Sequence, residues 1–181
     1  FKVTIAVFHL LYTYLIFKTL TCLKSKQALL GTAFYALNPL FLIEGVANAH
    51  NDVVFAAFLL ATIYFWTVSK KSFSYLSLIL GALIKYISIL NLPSLLIASL
   101  FKEKYSFSRL VALNLITMTI FTYVFSSFRI NVPFVSSGST QVQCQPWYLF
   151  WTLPFVSLMP MRPFLSIAFV VSFSALLRYL P

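Results

Sequence analysis

Long apolar runs separated by short polar breaks set the pattern of this chain. The first run extends from Val3 to Cys22, with Lys18 near its end where a long stem can reach water, and stops at Leu23-Lys24-Ser25-Lys26-Gln27. The second covers Ala28 to Ile43 and carries Asn38-Pro39 near its far end, where the proline predicts a bend or a stop. A polar stretch from Glu44 to Asp52 follows, then a third run from Val53 to Val68, closed by Ser69-Lys70-Lys71-Ser72. The fourth, Phe73 to Phe101, is interrupted by Lys85-Tyr86 and by Asn91-Leu92-Pro93. A fifth spans Leu110 to Phe125. A Ser/Gly/Gln-rich loop over 126–146 precedes the last two runs, Trp147 to about Pro160 and Phe164 to Tyr179.

Runs of this length match a bilayer, which takes about 20 apolar residues per helical crossing. The fourth run is too long for one crossing and carries cations at both ends, Lys70-Lys71 before it and Lys102-Lys104 after it. A hairpin of two half-spanning helices, with its apex between Lys85 and Pro93, keeps both clusters on the cytoplasmic side. Lys24, Lys26, Arg109 and Arg162 then fall on that side too. The stretch from Glu44 to Asp52, the apex at Lys85 and the segment from Gln145 to Tyr148 meet the opposite face. The expected fold is all-α and integral to the membrane, a polytopic bundle of about six to eight spanning or half-spanning helices. Residues 1–181 read as one transmembrane domain and as a segment of a longer chain, with the extracytoplasmic loop at 126–146.

Composition agrees. Of 181 residues, 61% are hydrophobic and 9% charged, against about 25% charged in a soluble domain. A soluble enzyme, a disordered tail and a nucleic-acid-binding domain are excluded. The net charge of +10, from thirteen Lys/Arg and three acids, belongs to the interhelical clusters and points to anionic lipid rather than nucleic acid. Cys22 and Cys144 form no disulfide framework, since the topology sets them on opposite faces, roughly 30 Å apart.

Three groups could carry chemistry. Glu44, Asn48 and Asp52 are spaced i, i+4, i+8 and would share one face of a helix; His50 and Asn51 sit beside them. Asn51 or Asp52 could instead cap the third helix. Lys85 has apolar neighbours on both sides, and a mid-bilayer lysine costs about 2.5–3.5 kcal/mol. It therefore needs an acid, a polar cavity or a bound anion, phosphate being the natural ligand of a lysine point charge; snorkelling to the headgroups is the alternative. Gln145, Trp147 and Tyr148 suit either an interfacial aromatic belt or a sugar site. His9 reads as a satisfied core histidine. No zinc spacing, phosphate loop or Ser-His-Asp order is present, and the spacing of Glu44, His50 and Asp52 does not diagnose a metal.

Taken in order, Asn38-Pro39-Leu40 with Glu44, then Ala49-His50-Asn51-Asp52, then Leu83-Ile84-Lys85-Tyr86 with Pro93, then Gln145-Pro146-Trp147-Tyr148-Leu149-Phe150-Trp151-Thr152-Leu153-Pro154, resemble the polytopic GT-C glycosyltransferases. The nearest branch is the prokaryotic mannosyltransferase-like one that uses polyprenyl-phosphate mannose. The resemblance implies inverting transfer of a hexosyl, specifically mannosyl, group from a polyprenyl-phosphate donor to an acceptor hydroxyl of a glycan, glycolipid or protein, on the extracytoplasmic side of the plasma membrane. It implies a catalytic acid in the first extracytoplasmic loop. This chain starts after that point, so the general base is expected upstream of Phe1, with Asp52 as secondary candidate. Lys85 and Tyr86 would meet the donor phosphate. Glu44, Asn48, His50, Asn51 and Asp52 would orient sugar hydroxyls, and Gln145, Trp147 and Tyr148 would border the groove. No cofactor is assigned, and a divalent metal is compatible with these residues. The rival readings are a transporter or flippase, and a non-catalytic subunit of a glycan- or anchor-processing complex that keeps the fold.

Overall fold

The computed structural model describes residues 1–101, 106–127 and 146–177, and every regular element among them is helical. The order is α1 (Lys2–Cys22), α2 (Ala28–Ala36), a π-helical turn (Phe41–Ala47), α3 (Asp52–Thr67), α4 (Lys71–Ile84), a 3-10 turn (Tyr86–Asn91), α5 (Leu92–Leu100), α6 (Phe107–Ser127), a second 3-10 turn (Pro146–Trp151), α7 (Leu153–Ser157) and α8 (Arg162–Leu176). Lys102, Lys104, Cys144, Gln145 and nearly all of the loop expected over 126–146 lie outside the described residues.

The helix breaks follow from local chemistry. Asn38 ends the first half of the second apolar run and starts the next turn: its Oδ1 accepts from the Leu40 amide at 3.0 Å, and Pro39 occupies the first helical position, where no amide is needed. The helical axis bends by 56° across this break. Lys85 stops α4 with an extended backbone, φ −143°, ψ 119°. The following 3-10 turn lies back along α4, its Ser88 hydroxyl 3.4 Å from the Leu78 carbonyl. Gly81 permits this, because a Cβ there would stand 2.8 Å from Ser88 Oγ. At the apex expected between Lys85 and Pro93 the 3-10 turn thus folds back on α4, while α5 packs on α6, where Ser94 Oγ donates to Asn114 Oδ1 at 2.8 Å. Lys24, Ala49 and Ser69 close helical segments in the left-handed region, at φ 55°, 56° and 61°.

α3 is the centre of the bundle. Val53, Phe55, Ala56, Leu59, Leu60 and Ile63 are fully or almost fully buried against α1 and α4. The partner face of α4 is mostly small: Ser74, Ser77 and Gly81 point in beside Leu78, and Ser74 Oγ donates to the Thr62 carbonyl at 2.7 Å. Leu76, Ile79, Leu80 and Leu83 point out. α8 repeats the arrangement, with Leu165, Ala168 and Ser172 inside and Phe164, Ile167, Val170 and Phe173 outside. Small residues allow the backbones to approach, and the bulky apolar side chains coat the exterior.

By length and composition, α1 can cross a membrane, and α2 with the π-helical turn passes as one bent span. Asp52–Thr67, Lys71–Ile84, Tyr86–Leu100, Phe107–Tyr123 and Arg162–Leu176 are apolar but shorter. Of the six to eight spanning or half-spanning helices expected from the sequence, the described residues offer one helix long enough to cross alone and one bent pair; the other apolar helices are shorter. Proline and the extended Lys85 interrupt runs that composition alone would extend.

Asn38 also donates from Nδ2 to Ser172 Oγ at 3.1 Å, joining the α2 break to α8. Asn38→Ala removes a cap and a buried hydrogen bond, and is expected to cost about 2 kcal/mol. A double-mutant cycle with Ser172→Ala, read by thermal unfolding in detergent, should return a non-zero coupling energy; strict additivity would refute the link.

Candidate functional site

Asp52, the last residue of the polar stretch and the first of α3, has a side chain only 1% exposed. An unpaired charge there would be costly. Its Oδ1 accepts from Lys85 Nζ at 2.6 Å and from the Trp151 indole N–H at 2.8 Å. One oxygen thus joins three sequence-distant segments: the start of α3, the break after α4 and the second 3-10 turn. The pair also answers the need of Lys85 for a counter-charge, and the ammonium stands 5.5 Å from the Trp151 ring centroid.

Lys85 remains 24% exposed and lines a cleft of about 420 Å³ together with Tyr86, Ile87, Phe121, Tyr148 and Trp151. Asp52 does not line it and reaches the cleft through the lysine. A cation held in place by a buried carboxylate, beside aromatic faces, can receive an anion without moving far.

A second arm is built on the π-helical turn. Its wide pitch turns Glu44 inward, where the side chain is fully buried. Gly45 makes room for the second 3-10 turn: a Cβ there would lie 2.8 Å from Val53 Cγ2 and 3.1 Å from the Phe150 ring. His50 Nε2 stands 3.3 Å from Glu44 Oε2, and neither Glu44 oxygen makes a well-directed hydrogen bond. The imidazole stacks on Trp147, centroids 4.5 Å apart, and stays 28% exposed. Trp147 meets Tyr148 at 6.4 Å, and Tyr148 meets Trp151 at 4.7 Å. A file of rings therefore connects His50 to Lys85.

The structure departs from the sequence expectation in three places. Glu44, Asn48 and Asp52 do not share a helical face, because the chain leaves the π-helical turn through left-handed Ala49 before α3 starts. Glu44 and Asp52 are buried with separate partners, while Asn48 and Asn51 are exposed. No side-chain bond caps α3; Asp52 spends its Oδ1 on tertiary partners instead. Trp151, which the sequence marks only as one more aromatic, is the residue that fixes Asp52 across 99 positions, and no local signal announces that contact. Tyr86 lies exposed on the cleft rim, and Gln145 falls outside the described residues. Among the described residues no three His, Cys, Asp or Glu side chains converge as a metal-binding group.

Lys85→Ala strands a buried carboxylate and is expected to destabilise the fold by about 3 kcal/mol. Lys85→Met combined with Asp52→Asn should recover most of that loss in a thermal melt. A double variant as unstable as the single one would contradict the pairing.

Comparison with known proteins bears on what such a site serves. Neither the curated proteins nor the solved structures compared with the chain gave a match. A family model described as alpha-(1->6)-mannopyranosyltransferase, N-terminal domain, matches residues 2–101, more than half of the sequence. That span contains Glu44, His50, Asp52 and Lys85, while Trp147, Tyr148 and Trp151 come from beyond it. The chain belongs to the alpha-(1->6)-mannopyranosyltransferase N-terminal domain family and is mannosyltransferase-like.

Proposed function

We propose that this chain is part of a polytopic GT-C-type membrane mannosyltransferase that takes its sugar from a polyprenyl-phosphate donor. The observation that carries the reading is Lys85, half-buried at the wall of the aromatic cleft and held by buried Asp52. The outward-facing Leu, Ile, Val and Phe side chains of α4 and α8, over small inward faces, support a lipid setting. The family match favours transfer over transport.

In this reading the acceptor hydroxyl attacks the anomeric carbon from the side opposite the phosphate. The C1–O bond to phosphate breaks, the configuration inverts, and the acceptor proton passes to a carboxylate. Charge accumulates on the departing phosphate, and the Lys85 ammonium stabilises it. Asp52 is a positioning residue here: it is too enclosed to meet the acceptor, and it aims the lysine. The resemblance implies that the carboxylate taking the acceptor proton belongs to the first extracytoplasmic loop. His50, seated on Glu44 and Trp147, orients sugar hydroxyls, and Trp147 and Tyr148 offer faces for the sugar ring. Tyr86 on the rim borders the phosphate. Asn48 and Asn51, both exposed, are available to the acceptor glycan. The site opens to the extracytoplasmic side of the plasma membrane.

The full-length parent, reconstituted with labelled polyprenyl-phosphate mannose and a mannan acceptor, tests the assignment. Lys85→Ala should lower kcat by roughly 100-fold or more, and Asp52→Asn should lower it less. Unchanged rates in both variants would remove the site; no transfer by the unmutated parent would leave the non-catalytic subunit. Orientation is tested separately on a background of Cys22→Ser and Cys144→Ser. Single cysteines replacing Asn48 and Tyr86 should both react with an impermeant thiol reagent from outside. Labelling from opposite sides would break the common face on which the site depends.

A further inference from the structure

At the opposite end of α2 from Glu44, the chain forms a second hollow, a groove of about 710 Å³ between α2 and α8. Its mouth carries Lys26 and Arg162, two cations 136 positions apart in the sequence. Neither is engaged by an acid: among the described residues the ion pairs are His50–Glu44 and Lys85–Asp52. Gln27 and Ser166 add neutral donors at the same mouth. Behind them the wall is aliphatic, from Leu29, Ala33 and Leu165. Asn38, hydrogen-bonded to Ser172, ties the two helices together beyond the far end of the groove.

We propose that this groove binds one anionic membrane phospholipid, its phosphate headgroup between Lys26 and Arg162 and an acyl chain along the aliphatic wall. Charge complementarity selects this occupant. Two exposed cations with no acid partner repel a second cationic surface and suit a phosphodiester. An apolar wall running away from them suits the hydrocarbon attached to that phosphate, which a free inorganic anion would leave unused. Arg162 opens α8 and Lys26 lies two residues before α2, and no acidic residue in the first turn of either helix offsets the two cations. The lipid would brace α2, whose other end carries the π-helical turn and Glu44. Occupancy would thus stabilise the frame of the site without contributing to it chemically.

This inference rests on the membrane reading above, and the test separates the two. Full-length parent protein, purified in mild detergent from mixed phosphatidylglycerol and phosphatidylcholine vesicles, is assayed for co-purifying lipid. The expected result is enrichment of phosphatidylglycerol, falling roughly tenfold in the Lys26→Ala/Arg162→Ala double variant and kept in Lys26→Arg/Arg162→Lys. Glycerol phosphate should not displace the bound lipid. Retention of both lipids without preference, or a preference unaffected by the double variant, overturns the groove while leaving the membrane reading intact. Displacement by glycerol phosphate would also overturn it, in favour of a soluble anion site. Protein that stays dispersed without detergent and carries no lipid overturns both. Ala33→Trp, which fills the wall without touching charge, should lower retention on its own, and full retention in that variant counts against the proposal.

Discussion

The pair of Asp52 and Lys85 is the constraint on which the rest of the site depends. Each charge alone would be costly where it stands, one almost fully enclosed and the other set in an apolar run. At 2.6 Å they neutralise each other, and the geometry of that contact dictates much around it. α4 has to stop where Lys85 can turn toward α3. The turn after it has to fold back along α4, which the missing Cβ of Gly81 permits. The second 3-10 turn has to bring Trp151 close enough to satisfy the same carboxylate oxygen.

The second arm shows a related economy. A π-helical turn is wider than an α-helical one, and it directs Glu44 into the bundle while leaving the following residues free to turn. Gly45 lets Phe150 settle against that turn, and the neighbouring Trp147 then covers His50. The two acids are therefore read at the surface through different side chains, one through an imidazole and the other through an ammonium. A continuous file of aromatic rings joins them. In the proposed function this surface receives a ligand that is partly sugar and partly anion.

The division of the site across the chain is informative. The family match ends at residue 101 and holds the two ion pairs, His50–Glu44 and Lys85–Asp52. The aromatic segment from Pro146 to Trp151 lies outside it, yet supplies the indole N–H on Asp52 and the ring over His50. Polar anchors come from one part of the chain and their cover from another.

Much of this was legible before any coordinates. Apolar run lengths imply an all-helical chain, the Asn38-Pro39 pair marks a break because one residue caps and the other lacks an amide, and a lysine flanked by aliphatic residues demands a partner. Those are local or energetic statements, and sequence order carries them. Which acid answers Lys85 is a different kind of fact. It depends on contacts 33 and 99 positions apart, and periodicity has no access to that separation. The i, i+4, i+8 spacing of Glu44, Asn48 and Asp52 suggested one helical face, but left-handed Ala49 intervenes, and each buried acid finds its own partner. Helix type, the outward turn of the large apolar side chains and the placing of Lys26 and Arg162 on one groove were likewise decided by packing, because each is a relation between elements rather than a property of any one of them.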